Sequence, residues 1–403
     1  MRKYWKTTAI IAVIVLSIGT FYVNSAWSAE EFPELEIQTV SGNPEEIESL
    51  VLEGLLTDMS YRSYVSSNIK ISAEGSVYDK RTFLNQVIGN YPMVIQELQE
   101  KYRTFMRGKS IWAESYFEND QVLAYAMVND SGLLGSRDFP IEISVLNKEN
   151  NKTNSFTVEV PDSKKFNYIH VEDVQMIGED LVLITRNLKR NNHHSYGEHY
   201  LYTIDLANQK ISHQELIVQV PKSENDTYTH VSLIQSSPTS ANENLIFQLT
   251  EEKVIEEKES DRVVESTQEI ISFNLETKEK ETVNVSDSGT NETQLSLFDG
   301  VLYHTSIVEH ELVVTLYHLE DNQASKEFRI PLSKKGQAHH QIVTVKDGKL
   351  YAATSQMNSN QNIDVIVADV TTGEALFTGQ VVFKDSAKEK PKFELYLHEL
   401  FVK

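Results

Sequence analysis

One order of elements recurs five times between residues 111 and 403, and it limits what this chain can fold into. Each copy reads strand, short polar turn, strand rich in Val, Leu and Tyr, then a strand closed by an Asp- or Asn-type turn. The first half appears as ENDQVLAYAMV (118–128), IGEDLVLITRNL (177–188), NENLIFQLT (242–250), FDGVLYHTSIV (298–308) and KDGKLYAATSQ (346–356). The second half appears as IEISVLNKENNKTNSFTV (141–158), HYLYTIDLANQKISHQEL (199–216), EIISFNLETKEKETVNV (269–285), LVVTLYHLEDNQASKEFRI (312–330) and IDVIVADVTTGEALFTGQV (363–381). Tight polar turns join antiparallel strands, and no single copy can bury both faces of its sheet. The copies must therefore stack on one another, and a radial stack is a β-propeller with about four strands per blade. A two-sheet sandwich is the alternative.

The turn positions Asn147, Asp205, Asn274, His318 and Asp369 recur with a period averaging roughly 55 residues. The copy around 229–285 is stretched by an acidic run (EEKVIEEKE, 251–259), read as a solvated hairpin extension. The apolar stretch 393–402 (FELYLHELFV) suits a last strand that completes the first blade and removes an exposed edge.

Val367 to Phe377 (VADVTTGEALF) resembles the quinoprotein-type propeller motif, with Asp369, Thr372 and Gly373 at matching positions. Val367 stands at the motif's alanine, Glu374 at its lysine and Phe377 at its tryptophan. The resemblance implies propeller architecture and no catalytic residue.

Residues 30–110 differ in texture and are expected to form a small α+β region. Partial alternation predicts strands over 34–40, 47–57 and 68–78. Asp79 is expected to cap a helical stretch carrying Phe83, Leu84, Val87 and Ile88. Pro92 then opens a second helix with Val94, Ile95, Leu98, Tyr102, Phe105 and Met106 on one stripe. The pattern ends near Gly108, which places a boundary at about residue 110.

Residues 1–29 read as a signal peptide or membrane anchor. A basic start (MRKYWK) precedes an uncharged stretch, residues 7–29, with aromatic residues at both ends. The expected fold is thus mainly β, a propeller-like domain of five to six blades over 111–403, preceded by the α+β segment and an N-terminal transmembrane helix. The expected location is the cell membrane, single-pass, with the bulk of the chain extracytoplasmic. Cleavage near Ser28 (A-x-S at 26–28) would instead secrete it.

Composition narrows the chemistry. Lys and Arg number 37 against 59 acidic residues, a net charge of -22, which repels phosphate backbones and argues against nucleic acid as a partner. Divalent cations or basic partners suit such a surface. The absence of cysteine removes disulfides, thiol nucleophiles and thiolate metal sites. His193, His194 and His199 share one segment and His339 and His340 are adjacent, but neither group has metal-ligand spacing. Serine-nucleophile elbows and phosphate-binding glycine loops are absent from the sequence. No catalytic, cofactor-binding or metal residue is singled out, and no cofactor is expected. The reading is a membrane-anchored, non-catalytic interaction module for a protein or cell-envelope ligand. The alternative is an exported hydrolase acting on glycans, with carboxylates at the propeller axis.

Overall fold

A computed structural model describes residues 10–20, 32–59, 65–79, 91–129, 138–191, 194–220, 227–234, 239–256, 261–285, 293–319, 323–333, 340–358, 360–384 and 393–403. Its strands form six antiparallel sheets, the blades of a β-propeller. Blade 2 runs through Tyr116–Glu118, Val122–Val128, Pro140–Asn147 and Lys152–Glu159, paired in that order. Blade 3 (Tyr168–Ile177, Asp180–Asn191, His194–Asp205, Lys210–Gln219), blade 4 (Thr227–Ile234, Asn244–Glu256, Asp261–Asn274, Lys280–Val283) and blade 5 (Thr293–Phe298, Val301–Val308, Glu311–His318, Gln323–Pro331) repeat the meander.

The turn residues explain why the chain reverses where it does. Asn147, Asp205, Asn274 and Asp369 each end the third meander strand of a blade. Each side-chain oxygen accepts a backbone N–H two or three residues on, from Asn150 (3.1 Å), Asn208 (2.8 Å), Glu276 (2.9 Å) and Thr372 (2.7 Å) respectively. Such an Asx turn mimics a backbone reversal. The first hairpins of blades 5 and 6 turn at Asp299-Gly300 and Asp347-Gly348, with φ of 48°, 70°, 51° and 72°. Two successive positive φ values match the right-handed strand twist, and Asp-Gly reaches them cheaply.

Both ends of the described chain are woven into the ring. Blade 6 holds Gln341–Lys346, Lys349–Thr354, Ile363–Asp369 and Ala375–Phe383, and Leu35–Gly42 adds a fifth, outer strand against Ala375–Phe383. Blade 1 is built from Leu50–Asp58, Val65–Ser72 and Gly75–Tyr78, with Phe393–Val402 paired to Leu50–Asp58 and the short Gln356–Met357 beyond it. Strand pairing therefore crosses the position near residue 110 where the sequence suggests a boundary. The acidic stretch in blade 4 belongs to a hairpin paired from Asn244↔Asn274 to Glu256↔Asp261, with a register shift at Lys253/Val254, and longer than its neighbours.

Apolar cores lie between neighbouring blades. Leu52, Val365, Phe377 and Leu395 join blades 6 and 1; Phe166, Leu183 and Ile143 join blades 2 and 3; Phe247, Ile184 and Phe273 join blades 3 and 4. Ile246 and Leu302 link blades 4 and 5, and Val314 and Leu350 link 5 and 6. The junction of blades 1 and 2 is different. A helix, Met93–Lys101, and a short turn of helix, Arg103–Met106, lie there and bury Ile95, Leu98, Phe105 and Met106 on Tyr116, Leu123 and Leu146 of blade 2. The expected stripe after Pro92 is thus a packing face. Toward blade 1 the same helix makes polar contacts: Lys70 Nζ donates to Gln96 Oε1 (2.9 Å) and the Met93 N–H to Glu399 Oε1 (3.2 Å). The helix expected from Asp79 through Ile88 lies outside the described residues.

The expected membrane anchor is corrected. The described N-terminal helix covers residues 10–20 only. Eleven residues rise about 16 Å, roughly half of a bilayer's hydrocarbon core. Among the described residues no helix is long and apolar enough to cross a membrane. The transmembrane helix expected over residues 7–29, and the single-pass localisation built on it, thus find no such helix among the described residues; residues 7–9 and 21–29 lie outside them.

Candidate functional site

The innermost strands and their turns leave a cavity of about 840 Å³ at one end of the propeller axis. Five blades and the Met93–Lys101 helix contribute to its wall. The two Asp-Gly turns carry Asp299 and Asp347 to the rim. Glu118 comes from the first strand of blade 2, Glu243 from the connection between the first two strands of blade 4, Glu399 from the closing strand and Glu97 from the helix. Six carboxylates and one ammonium thus line it. The ammonium is Lys346, whose Nζ donates to the Val402 carbonyl (2.8 Å), while Glu118 is paired with Lys148 (2.8 Å) and Glu97 with Lys101 (3.9 Å).

The walls are held by contacts between blades. The Glu118 N–H donates to the Thr239 carbonyl (2.8 Å), and the Asn242 N–H to Gln175 Oε1 of blade 3 (2.9 Å). Gln175 Nε2 donates to Ser240 O (3.1 Å) and to Asp173 Oδ2 (2.9 Å). The segment 239–242 is thereby tied to blades 2 and 3 at once.

Carboxylates around the axis sit in opposed environments. Burial pushes Glu118 up, but hydrogen bonds from Lys148 Nζ and the Tyr102 hydroxyl, both 2.8 Å, outweigh it and leave the group below its ordinary range. Burial dominates at Glu399 and raises it, against the Met93 N–H and Lys70. Glu53 lies opposite Glu399 in the strand register and is only 2% exposed; burial pushes it to about 7, with Lys70 opposing and the Glu399 and Asp79 charges adding.

Asp173 is buried and pushed to about 8, mainly by burial, with Gln175 and the Val174 N–H opposing and Glu172 adding. A carboxyl with a raised folded value binds its proton more tightly in the native state. Its stabilising contribution is complete below the unfolded value of 3.8 and disappears as pH rises through about 8. Asp173→Asn keeps the shape and removes the ionisation. Denaturant titration at about pH 9 should find this variant about 2 kcal/mol or more stabler than the parent, and the difference should vanish near pH 4. Equal stability at both pH values would show that Asp173 ionises normally in the fold.

His199 is fully buried in blade 3. Its Nε2 lies 2.8 Å from Glu172 Oε2, Arg186 Nε is 3.2 Å from Glu172 Oε1, and the ring meets Phe247 edge-on at 5.2 Å. It serves the seam between blades 3 and 4. His193 and His339 lie outside the described residues, and among those described no three His, Asp or Glu side chains converge on a metal position. The axial carboxylates escaped the sequence reading because strands far apart in the chain bring them together. The only local signal was Asp-Gly, which marks a turn and not its neighbours.

The fold defines the class, a six-bladed β-propeller with an acidic axial mouth. No protein-family model matches the sequence, and no curated protein matches it significantly. Among solved structures it is similar to a mutant of the Synechocystis apocarotenoid oxygenase, at 11% identity and a TM-score of 0.44, covering 92% of this chain and 96% of that one. It is also similar to a luciferin-regenerating enzyme (12%, 0.32, 70% and 90%) and to the β-propeller domain of the trilobed protease from Pyrococcus furiosus (13%, 0.32, 59% and 71%). At these scores the likeness carries no argument about activity.

Proposed function

We propose that this chain is a non-catalytic interaction module that takes a basic segment of a protein partner in its axial mouth. The observation that carries this reading is the concentration of six carboxylates around a single cavity, only two of them, Glu118 and Glu97, paired with lysines outside its lining. A concave surface lined by one sign of charge focuses its field and draws in the opposite charge. Calorimetric titration with oligolysine should give binding that weakens steeply between about 0.05 M and about 0.5 M salt. The combined variant E97Q/E243Q/D299N/D347N should lose most of it, while oligoglutamate should not bind the parent. Equal affinity in parent and variant would end the proposal.

Hydrolysis of glycans is the second reading, favoured by Glu118 and Glu399 lining one cavity with opposite perturbations. Two carboxyls whose environments push them apart can divide acid and base roles. Glu399 would protonate the leaving oxygen and Glu118 would act as base or nucleophile. Cleavage of aryl glycosides by the parent, lost in Glu399→Gln, would support it.

The quinoprotein-type likeness is proposed for the turn chemistry of blade 6 alone. Asp369 Oδ1 accepts from the Thr372 N–H and hydroxyl, Gly373 has φ of 77°, and Phe377 is buried where the motif has its tryptophan.

A further inference from the structure

A second cavity, of about 470 Å³, opens between blades 2 and 3, away from the axial carboxylates. Its wall carries Trp112, 52% exposed, and Tyr168, 39% exposed. Trp112 is the one tryptophan after residue 27. An indole left half in water forgoes a large part of its hydrophobic stabilisation. The ring nevertheless stands on a fixed segment. The Tyr116 hydroxyl donates to the Ser110 carbonyl (2.6 Å), the Ser110 N–H to the Tyr125 hydroxyl (3.2 Å), and the Trp112 N–H to Ser110 Oγ (3.1 Å).

His170 stands between the two aromatic rings, with the Trp112 plane roughly perpendicular to the other two. Tyr168 stacks on it at 6.2 Å and 12°, and Trp112 meets it edge-on at 6.5 Å and 89°. Glu114 Oε1 lies 3.4 Å from its Nε2 and helps set the ring. Polar groups of both signs also line the cavity. Asn129 Nδ2 donates to Glu142 Oε1 (2.8 Å), and Lys109 Nζ is held by the Phe105 carbonyl (2.7 Å) over the Phe105 ring.

An exposed aromatic face in one cavity with an amide, a carboxylate and an ammonium fits a ligand with one apolar face and a rim of hydroxyls. Opposed charges on the polar side disfavour a strongly ionic ligand. We infer that the Trp112–Tyr168–His170 corner binds a pyranose ring of a neutral oligosaccharide, stacked on the half-exposed Trp112 indole and flanked by Tyr168, with its hydroxyls on Glu142, Asn129 and Lys109. The inference stands apart from the axial mouth and from either reading of it.

The test uses the full chain with cellohexaose, maltohexaose and chitohexaose, followed by tryptophan fluorescence and calorimetry. At least one of the three should bind and shift the emission. Trp112→Ala should lower that affinity about thirtyfold with an unchanged melting temperature, and Glu142→Gln should weaken it too. If Trp112→Ala fails to fold, Tyr168→Ala must show the loss instead. The proposal is overturned if none of the sugars binds, if the folded aromatic variant binds as well as the parent, or if only adenosine or tetramethylammonium shifts the emission.

Discussion

Removing residues 393–403 should leave a chain without a cooperative unfolding transition. Phe393, Leu395, Leu397, Leu400 and Val402 are each at most 9% exposed, and all belong to the core joining blades 6 and 1. Burying five such side chains is worth about 10 kcal/mol, comparable to the whole net stability of an ordinary domain. The deletion also strips Leu50–Asp58 of one of its two partners, leaving Val65–Ser72 on the other side and an apolar edge, which invites aggregation. Circular dichroism during heating checks this. A deleted chain with a sharp, reversible melt near the parent's would mean that the closing strand does not hold the ring.

The other closure, by Leu35–Gly42, depends on one glycine. Gly42 has φ of 88°, and a β-carbon there would sit 2.1 Å from the Leu376 carbonyl oxygen and 2.7 Å from the Phe377 α-carbon. Gly348 has a similar φ of 72° with nothing within 4 Å. Alanine at 348 should cost only the left-handed backbone penalty, about 1 kcal/mol. Alanine at 42 must also displace backbone, and should cost about 3 kcal/mol or more by denaturant titration. If Gly42→Ala were no worse than Gly348→Ala, the outer strand of blade 6 would be loosely attached.

The repeat could be read from the chain because its signals are local. Asn147, Asp205, Asn274 and Asp369 mark turns by bonding to backbone a few residues away, and strand alternation flanks each of them. The stripe from Val94 to Met106 was legible for the same reason. The closing role of 393–402 was legible too, but not its partner: Leu50–Asp58 lies in the stretch read as a separate α+β region, and no local pattern records that pairing. Residues 10–20 show the converse. Hydropathy set a span of 23 residues, whereas the described helix covers only part of it. The candidate site was least visible, since Glu97, Glu118, Glu243 and Glu399 are ordinary surface glutamates until the ring brings them around one axis.

Hydrogen–deuterium exchange on the full chain, with and without oligolysine, tests the axial mouth most directly. The account predicts added protection confined to residues 239–244, 297–300, 344–347 and 399–402. Protection spread evenly over the acidic surface, or centred on the long hairpin of blade 4 with these segments unchanged, would contradict it.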